Sequence, residues 1–313
     1  MTNYNVQSPI LFIIFNRPDV TRQVFEKIKA VKPARLYIAA DGPRKGHATD
    51  ARRCEEARAA VAGIDWECTV KTLFREENKG CKLAVSGAIS WFFEQEEEGI
   101  ILEDDCVPNN SFFYFCDTML NKYRHDTRIR NITGNNLQHG KTWGTGSYYF
   151  SQLSNIWGWA SWRRVWKEYD VTMSKYTEED VVAQLPKICD DRFFVLEWLG
   201  FFKNVKAGKI DTWDYQLQFN TFFENGLCVT PNVNLVSNIG FGVDATHTIL
   251  SDAHNANLPV AELGEITHPH IMLPEKAADY YFLNSEFNLA AKWRRYNKPK
   301  RRIKRWLKSF FAK

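Results

Sequence analysis

Three carboxylates in a row, Glu103-Asp104-Asp105, end the apolar run Gly99-Ile-Ile-Leu102 of this 313-residue chain. Adjacent anions repel one another unless a cation joins them. Mg²⁺ or Mn²⁺ meets that need, because both take oxygen ligands and commonly use one or two carboxylates together with phosphate oxygens. The chemistry open to such a cluster is therefore metal-assisted handling of a diphosphate. An acidic turn solvated after a core strand is the alternative that the spacing leaves open. Side chains alternate along a strand, which predicts Glu103 and Asp105 on one side and Asp104 on the other.

Further residues invite chemistry. Arg17 stands in Phe15-Asn-Arg-Pro-Asp19, where a strand passes into a helix, and a plain surface arginine is the competing reading. Asp41 opens Asp-Gly-Pro43, which is a turn signal by itself. In Thr212-Trp-Asp214, Thr212 predicts a helix cap and Asp214 a place in the first turn, where a carboxylate complements the helix dipole. Trp157, Trp159 and Trp213 have faces suited to stacking on sugar rings or shaping an acceptor pocket, although core packing is the usual fate of an indole. Asn238-Ile-Gly-Phe-Gly242, followed by Asp244 and His247, reads as a Gly-flanked loop able to close over a ligand. His247 is a diphosphate contact or metal ligand on that reading, and otherwise an ordinary loop histidine.

The elements that must position these residues follow a strand-helix rhythm. Strands are predicted at Ile10 to Phe15, Leu36 to Ala40, Cys68 to Phe74 and in the carboxylate run. Helices are predicted at Val20 to Ala30, Ala51 to Ala62, Lys82 to Glu94 and Ser111 to Tyr123. Short apolar strands separated by helices and ending in polar or Gly-rich residues argue for a mostly parallel, Rossmann-like α/β sheet with its functional loops on one edge. Ligands bind at that carboxyl edge. From Asn131 to Trp162 the pattern breaks into short segments rich in Gly, Asn, Trp and Tyr. Helices follow at Trp162 to Tyr169, Glu178 to Pro186, Asp191 to Ala207 and Asp214 to Asn225, with strands near Leu227 to Val229 and Asn234 to Ser237.

Composition bounds the class. Hydrophobic content of 44% and charge of 25% are those of an ordinary globular protein. Seven cysteines, scattered and without ligand spacing, argue for a reducing compartment rather than a disulfide framework or a zinc site. The first apolar run is too short to span a membrane and no basic flank precedes it, so neither a signal peptide nor a membrane anchor is expected.

Taken together, Ile13-Ile-Phe-Asn-Arg-Pro18, Ala39-Ala-Asp-Gly-Pro43, Asn78-Lys-Gly80, Leu102-Glu-Asp-Asp105, Gly158-Trp159 and Thr212-Trp-Asp214 occur in the order expected of a GT-A glycosyltransferase. The chain resembles the N-acetylglucosaminyltransferase family that begins complex N-glycans in the animal Golgi, and its bacterial relatives in polysaccharide synthesis, over roughly residues 8 to 245. The resemblance implies a GT-A fold, a nucleotide-diphosphate donor with a UDP-sugar favoured, Mn²⁺ or Mg²⁺ as cofactor, and a glycan or lipid-linked acceptor. It makes Asp105 the direct metal ligand, places Asp104 near the donor ribose with Glu103 beside it, and lets Arg17 and Asp41 frame the base and ribose. It makes Asp214 the general base, which would give inversion. His247 sits where the chain departs from the family pattern. The implied division is a nucleotide-sugar half at 1–125, an acceptor and catalytic half at 126–291, and a tail at 292–313.

That tail carries eleven basic residues and no acidic one. With +4 overall and +11 here, residues 1–291 carry −7. Ile303, Trp306, Leu307, Phe310 and Phe311 recur at i, i+3, i+4, i+7 and i+8, the stripe of an amphipathic helix. The pattern predicts a cytoplasmic protein in peripheral contact with the inner face of an anionic membrane and not nucleic acid, with a partner protein or the chain's own body as the alternative surfaces for the tail.

Two enzyme classes with related needs fit less well. A sugar nucleotidyltransferase wants a Gly-rich, Arg-containing phosphate loop after its first strand, and Phe15 to Asp19 has no glycine. A haloacid-type phosphatase wants Asp first in its Asp-x-Asp, where Glu103 stands. A non-catalytic, membrane-docked carbohydrate-binding protein stays open, because a fold does not guarantee catalysis.

Overall fold

The computed structural model describes residues 4–241 and 255–310; Asp244 and His247 lie outside the described residues. Strands β1 (Ile10–Ile14), β2 (Arg35–Ala40), β3 (Thr69–Phe74) and β4 (Glu98–Glu103) alternate with helices α1 (Pro18–Val31), α2 (Asp50–Ala59) and α3 (Gly80–Phe93). Then come β5 (Cys106–Pro108), α4 (Asn110–Tyr123), β6 (Ile129–Thr133), β7 (Tyr148–Ser151), β8 (Trp159–Trp162) and the single turn α5 (Arg163–Trp166). The chain continues through α6 (Glu178–Ile188), α7 (Arg192–Lys206), α8 (Asp214–Phe223), β9 (Leu227–Pro231) and β10 (Val236–Asn238). Helices α9 (Lys276–Phe287), α10 (Leu289–Tyr296) and α11 (Pro299–Phe310) follow.

Eight strands form one sheet in the order β3-β2-β1-β4-β8-β6-β9-β7, and β10 pairs with β5 in a second, two-stranded sheet. β3, β2, β1 and β4 are mutually parallel, β8 runs antiparallel to both β4 and β6, β6 and β9 are parallel, and β7 is antiparallel. Six of the eight strands therefore point one way, the mostly parallel α/β sheet that the rhythm predicts. All five residues of β1 are buried, as expected of a central parallel strand covered on both faces. The sheet registers Ile14 of β1 with Ala40 of β2, and Ile13 with Glu103 of β4. The three strands thus stop together, and Phe15, Asp41 and Asp104 all emerge on one edge.

Local chemistry sets the helices. Pro18 opens α1, where its missing N–H costs nothing, and Val24, Phe25, Ile28 and Val31 are buried. Asn109 caps α4 by accepting from the Phe112 N–H at 3.0 Å. Thr177 and Asp180 close a capping box on α6.

Two sheet strands, β7 and β8, and the end of a third, β6, fall in the stretch from Asn131 to Trp162, whose composition carries no strand pattern. They are four or five residues long and find their hydrogen bonds with strands far away in sequence. The predicted helix at Trp162 to Tyr169 shrinks to α5, because Trp162 is spent in β8 opposite Glu98.

Two compact units divide the chain. The first, residues 1–173 and 211–275, holds both sheets. The second, residues 174–210 and 276–313, is helical. Within it α10 is fixed to α7: Trp293 Nε1 donates to Asp191 at 2.7 Å, Lys292 pairs with Glu197, and Phe193 packs edge-on against Trp293 and Tyr296. Among the described residues no helix is long and apolar enough to cross a membrane. All seven cysteines are free.

Candidate active site

The connection from β1 to α1 is three residues, Phe15 to Arg17, so the Arg17 backbone already belongs to the first turn of α1 and its carbonyl accepts from the Thr21 N–H at 3.0 Å. This places the guanidinium over the end of β4. There Arg17 Nη2 meets the carboxylates of both Asp104 and Asp105, the latter at 2.9 Å. Asp104 also accepts from the Phe15 N–H at 3.3 Å and is 3% exposed. Strand alternation does not hold here: β4 ends at Glu103, the chain turns through Asp104 and Asp105, and both face the same arginine. The cation that the acidic run requires is, in the first place, Arg17.

One guanidinium does not balance three carboxylates. Burial pushes the Glu103 carboxyl up to about 8, and the negative Asp105 and Asp104 add to the rise against the opposing pull of Arg17. Asp104 is likewise raised, by burial first, despite Arg17. The edge of the sheet thus holds a surplus of acceptor oxygens in a place that resists negative charge, which is the condition for attracting a divalent cation.

Asp214 belongs to this neighbourhood. Its charge contributes to raising Glu103, and Cys81, Tyr169 and Tyr215 all feel it, although for each of these burial is the larger cause. Asp214 is the first residue of α8, and its Oδ1 accepts from the Thr212 hydroxyl. Thr212 is therefore not the helix cap that the sequence predicts; the cap position is Trp213, whose side chain makes no capping bond. Trp213 is 2% exposed, stacks on Trp159 at 5.6 Å, and its carbonyl accepts from Tyr169 Oη at 3.0 Å.

The turn before Asp214 is tied down from a distance. Asp211 accepts from the N–H groups of Cys81 at 3.0 Å and Lys82 at 3.3 Å, completing the amino end of α3. Gly80, at φ +77°, passes so near that a Cβ would lie 2.8 Å from Asp211 Oδ2. The same turn meets Asp41, which accepts from Asn78 Nδ2 at 2.9 Å and from the Lys79 N–H at 3.0 Å. Burial raises Asp41 while the Lys79 N–H holds it down. Asp41 and Asp211 thus clasp the Asn78-Lys79-Gly80 turn from two sides.

A last segment covers the acidic turn. β10 runs antiparallel to β5, with Asn238 opposite Cys106, and the Ile239 N–H donates to the Asp105 carbonyl at 2.9 Å. Gly240 then lies against the Asp105 carboxylate and Arg17, and Phe241 meets Trp157 edge-on at 5.7 Å.

The structure thus gathers Arg17, Glu103, Asp104, Asp105 and Asp214 around the carboxyl edge and puts Asp41 one strand away. His247, the other candidate metal ligand, lies outside the described residues. Trp159 and Trp213 are core residues, 1% and 2% exposed, the usual fate of an indole: each is spent on the other and on Trp166, and neither is left to stack on a sugar. Trp157 is only partly buried. Sequence reasoning missed Asp211, whose partners are about 130 residues away, so no local signal marks it. It also missed the role of Gly240, although the Gly-flanked loop was visible. Among the described residues no three His, Cys, Asp or Glu side chains are grouped to hold a metal ion by themselves. A cation held by one or two carboxylates with the remaining positions filled by water and phosphate needs no such cage, and the all-oxygen donor set at Asp104 and Asp105 fits Mg²⁺ or Mn²⁺.

No family model matches the chain, and none of the curated proteins matches it. Among solved structures, HddC from Yersinia pseudotuberculosis is similar over 52% of this chain and 80% of its own, at 8% identity and a TM-score of 0.32. The 4-diphosphocytidyl-2C-methyl-D-erythritol synthase from Anaerococcus prevotii is similar over 54% and 79%, at 10% identity and 0.32. UDP-glucose pyrophosphorylase complexed with UDP-glucose is similar over 56% and 82%, at 8% identity and 0.30. At such identities and scores the likeness bears on neither substrate nor reaction.

Proposed function

We propose that the protein is an enzyme acting on nucleotide-diphosphate sugars at the carboxyl edge of β1, β2 and β4, and that it transfers the sugar of a UDP-type donor to a hydroxyl of a glycan or lipid-linked acceptor. The observation that carries this reading is the surplus of carboxylates at Glu103, Asp104 and Asp105, of which Asp104 is buried and the other two partly so, compensated only in part by Arg17, with a further carboxylate, Asp214, in the same electrostatic neighbourhood. Asp105, partly exposed beside Arg17, is the residue to hold Mn²⁺ or Mg²⁺. The metal when bound would neutralise charge on the diphosphate leaving group. Arg17 and Asp104 form the floor against which the nucleotide sits, and Asp41 fixes the turn beside it. Asp214 takes the proton of the acceptor hydroxyl as that oxygen attacks the anomeric carbon, and a single base opposite the leaving group gives inversion. Residues 1–125 would supply most donor contacts and residues 126–291 the acceptor side.

Nucleotidyl transfer is the second reading, since it also uses an acidic strand end of a parallel sheet. The β1–α1 connection favours glycosyl transfer: it is three residues long, has no glycine, and its arginine is engaged by Asp104 and Asp105. Products decide between them. Incubating the full chain with UDP-sugars and Mn²⁺ is expected to release UDP, faster when acceptor is added. Conversion of UDP-sugar and pyrophosphate into UTP and sugar phosphate would instead identify a nucleotidyltransferase. Neither product, together with a raised melting temperature in sugar alone, would leave a carbohydrate-binding protein.

A further inference from the structure

We propose that α11 is a docking surface for an anionic lipid bilayer. This goes beyond the proposed reaction and does not depend on it. The periodicity that predicts an amphipathic helix is realised: residues from Pro299 to Phe310 form a continuous helix. On it Pro299, Arg302, Ile303 and Trp306 border one shallow depression, with the i, i+3, i+4, i+7 spacing of a single helix face. Ile303 is 58% exposed and Trp306 60% exposed, two large apolar side chains side by side on one helix face rather than scattered singly. Arg302 shares that face, Arg301 lies elsewhere on the helix surface, and both are exposed as well.

Charge selects the occupant. Residues 292–313 carry eleven positive charges without one negative, and residues 1–291 carry −7. An anionic surface therefore attracts this segment and repels the rest, which orients the molecule as well as binding it. A nucleic acid would satisfy the arginines and lysines but gives no reward for exposing Ile303 and Trp306. A bilayer interface satisfies both, because indoles and aliphatic side chains enter the boundary between headgroups and acyl chains while basic residues remain among the headgroups. The attachment is built to hold: α10, which precedes α11, is locked to α7 by Trp293 against Asp191 and Lys292 against Glu197.

The test is cosedimentation of the full chain with phosphatidylcholine vesicles, with and without phosphatidylglycerol. The expected result is binding to the anionic vesicles at low salt, at least about tenfold weaker to neutral ones, and weakened without being abolished in high salt. The double variant Ile303→Ser, Trp306→Ser keeps every charge and is expected to lose the salt-resistant part of the binding. A chain lacking residues 299–313, checked for folding by circular dichroism, is expected to lose binding altogether. Failure of the intact chain to sediment with anionic vesicles at low salt overturns the proposal. So does equal binding of the double variant and the intact chain, or RNA binding by the intact chain that outcompetes the vesicles.

Discussion

Gly240 lies directly against Asp105: a Cβ built on Gly240 would stand 2.0 Å from Asp105 Oδ2 and 2.8 Å from Arg17 Nη1. The two residues are far apart in sequence and meet because β10 pairs with β5 just beyond the acidic turn. A side chain fits there only if Asp105 or Arg17 moves. Gly240→Ala must push Asp105 or Arg17 aside, so we expect a folded protein whose affinity for UDP in the presence of Mn²⁺ falls about tenfold, roughly 1.4 kcal/mol. Calorimetric titration reads the change, and wild-type affinity would mean that the acidic turn does not contact the donor.

Asp105 itself is only partly buried, at a strand end and outside the core. Asp105→Ala is therefore expected to abolish Mn²⁺-dependent nucleotide binding while circular dichroism and the melting transition stay close to wild type. Unchanged affinity for UDP with Mn²⁺ would remove Asp105 from the metal site.

Asp214→Asn preserves shape and the Thr212 hydrogen bond but cannot take a proton. Transfer is expected to fall by about 10² or more, with donor affinity near wild type. Normal turnover in this variant would assign Asp214 to the first turn of α8 alone.

Asp211→Ala separates anchoring from chemistry. It removes the carboxylate that completes α3 and is expected to cost about 1 kcal/mol in chemical denaturation, as other lost caps do. An unchanged denaturation midpoint would show that water replaces the carboxylate without loss.

Glu103 gives a pH dependence with a definite sign. Its folded value, about 8, lies above its ordinary 4.5, so the folded protein binds the extra proton between these values. The stability this proton contributes is fully present below 4.5 and is lost as pH rises through about 8. The metal-free protein is expected to melt at progressively lower temperature across that window, and Glu103→Gln, which stays neutral, to flatten the fall. A melting temperature independent of pH in the wild type would contradict the desolvated, only partly compensated environment of Glu103.

Much of the first half of the fold was legible in the residues themselves. Apolar runs such as Ile10 to Ile14, closed by polar turns and separated by helices with 3.6-residue patterning, are best buried as parallel strands under helices, and β1, β2 and β4 are so arranged. The acidic run was equally plain, since three adjacent carboxylates are improbable in a core without a partner. The tail declared itself through charge and period alone. Tertiary structure decided the rest, because the deciding contacts are non-local. β6, β7 and β8 are too short to carry a pattern and become strands only by pairing. Alternation put Asp104 and Asp105 on opposite sides, yet the turn after Glu103 brings both to Arg17. Trp159 and Trp213 carried flat apolar faces fit for a sugar, and only packing shows that each is spent on the other. Asp211 had no signal at all, since the helix end it completes lies in a different part of the chain. Local sequence states what a residue is able to do, and the fold determines which partner it finds.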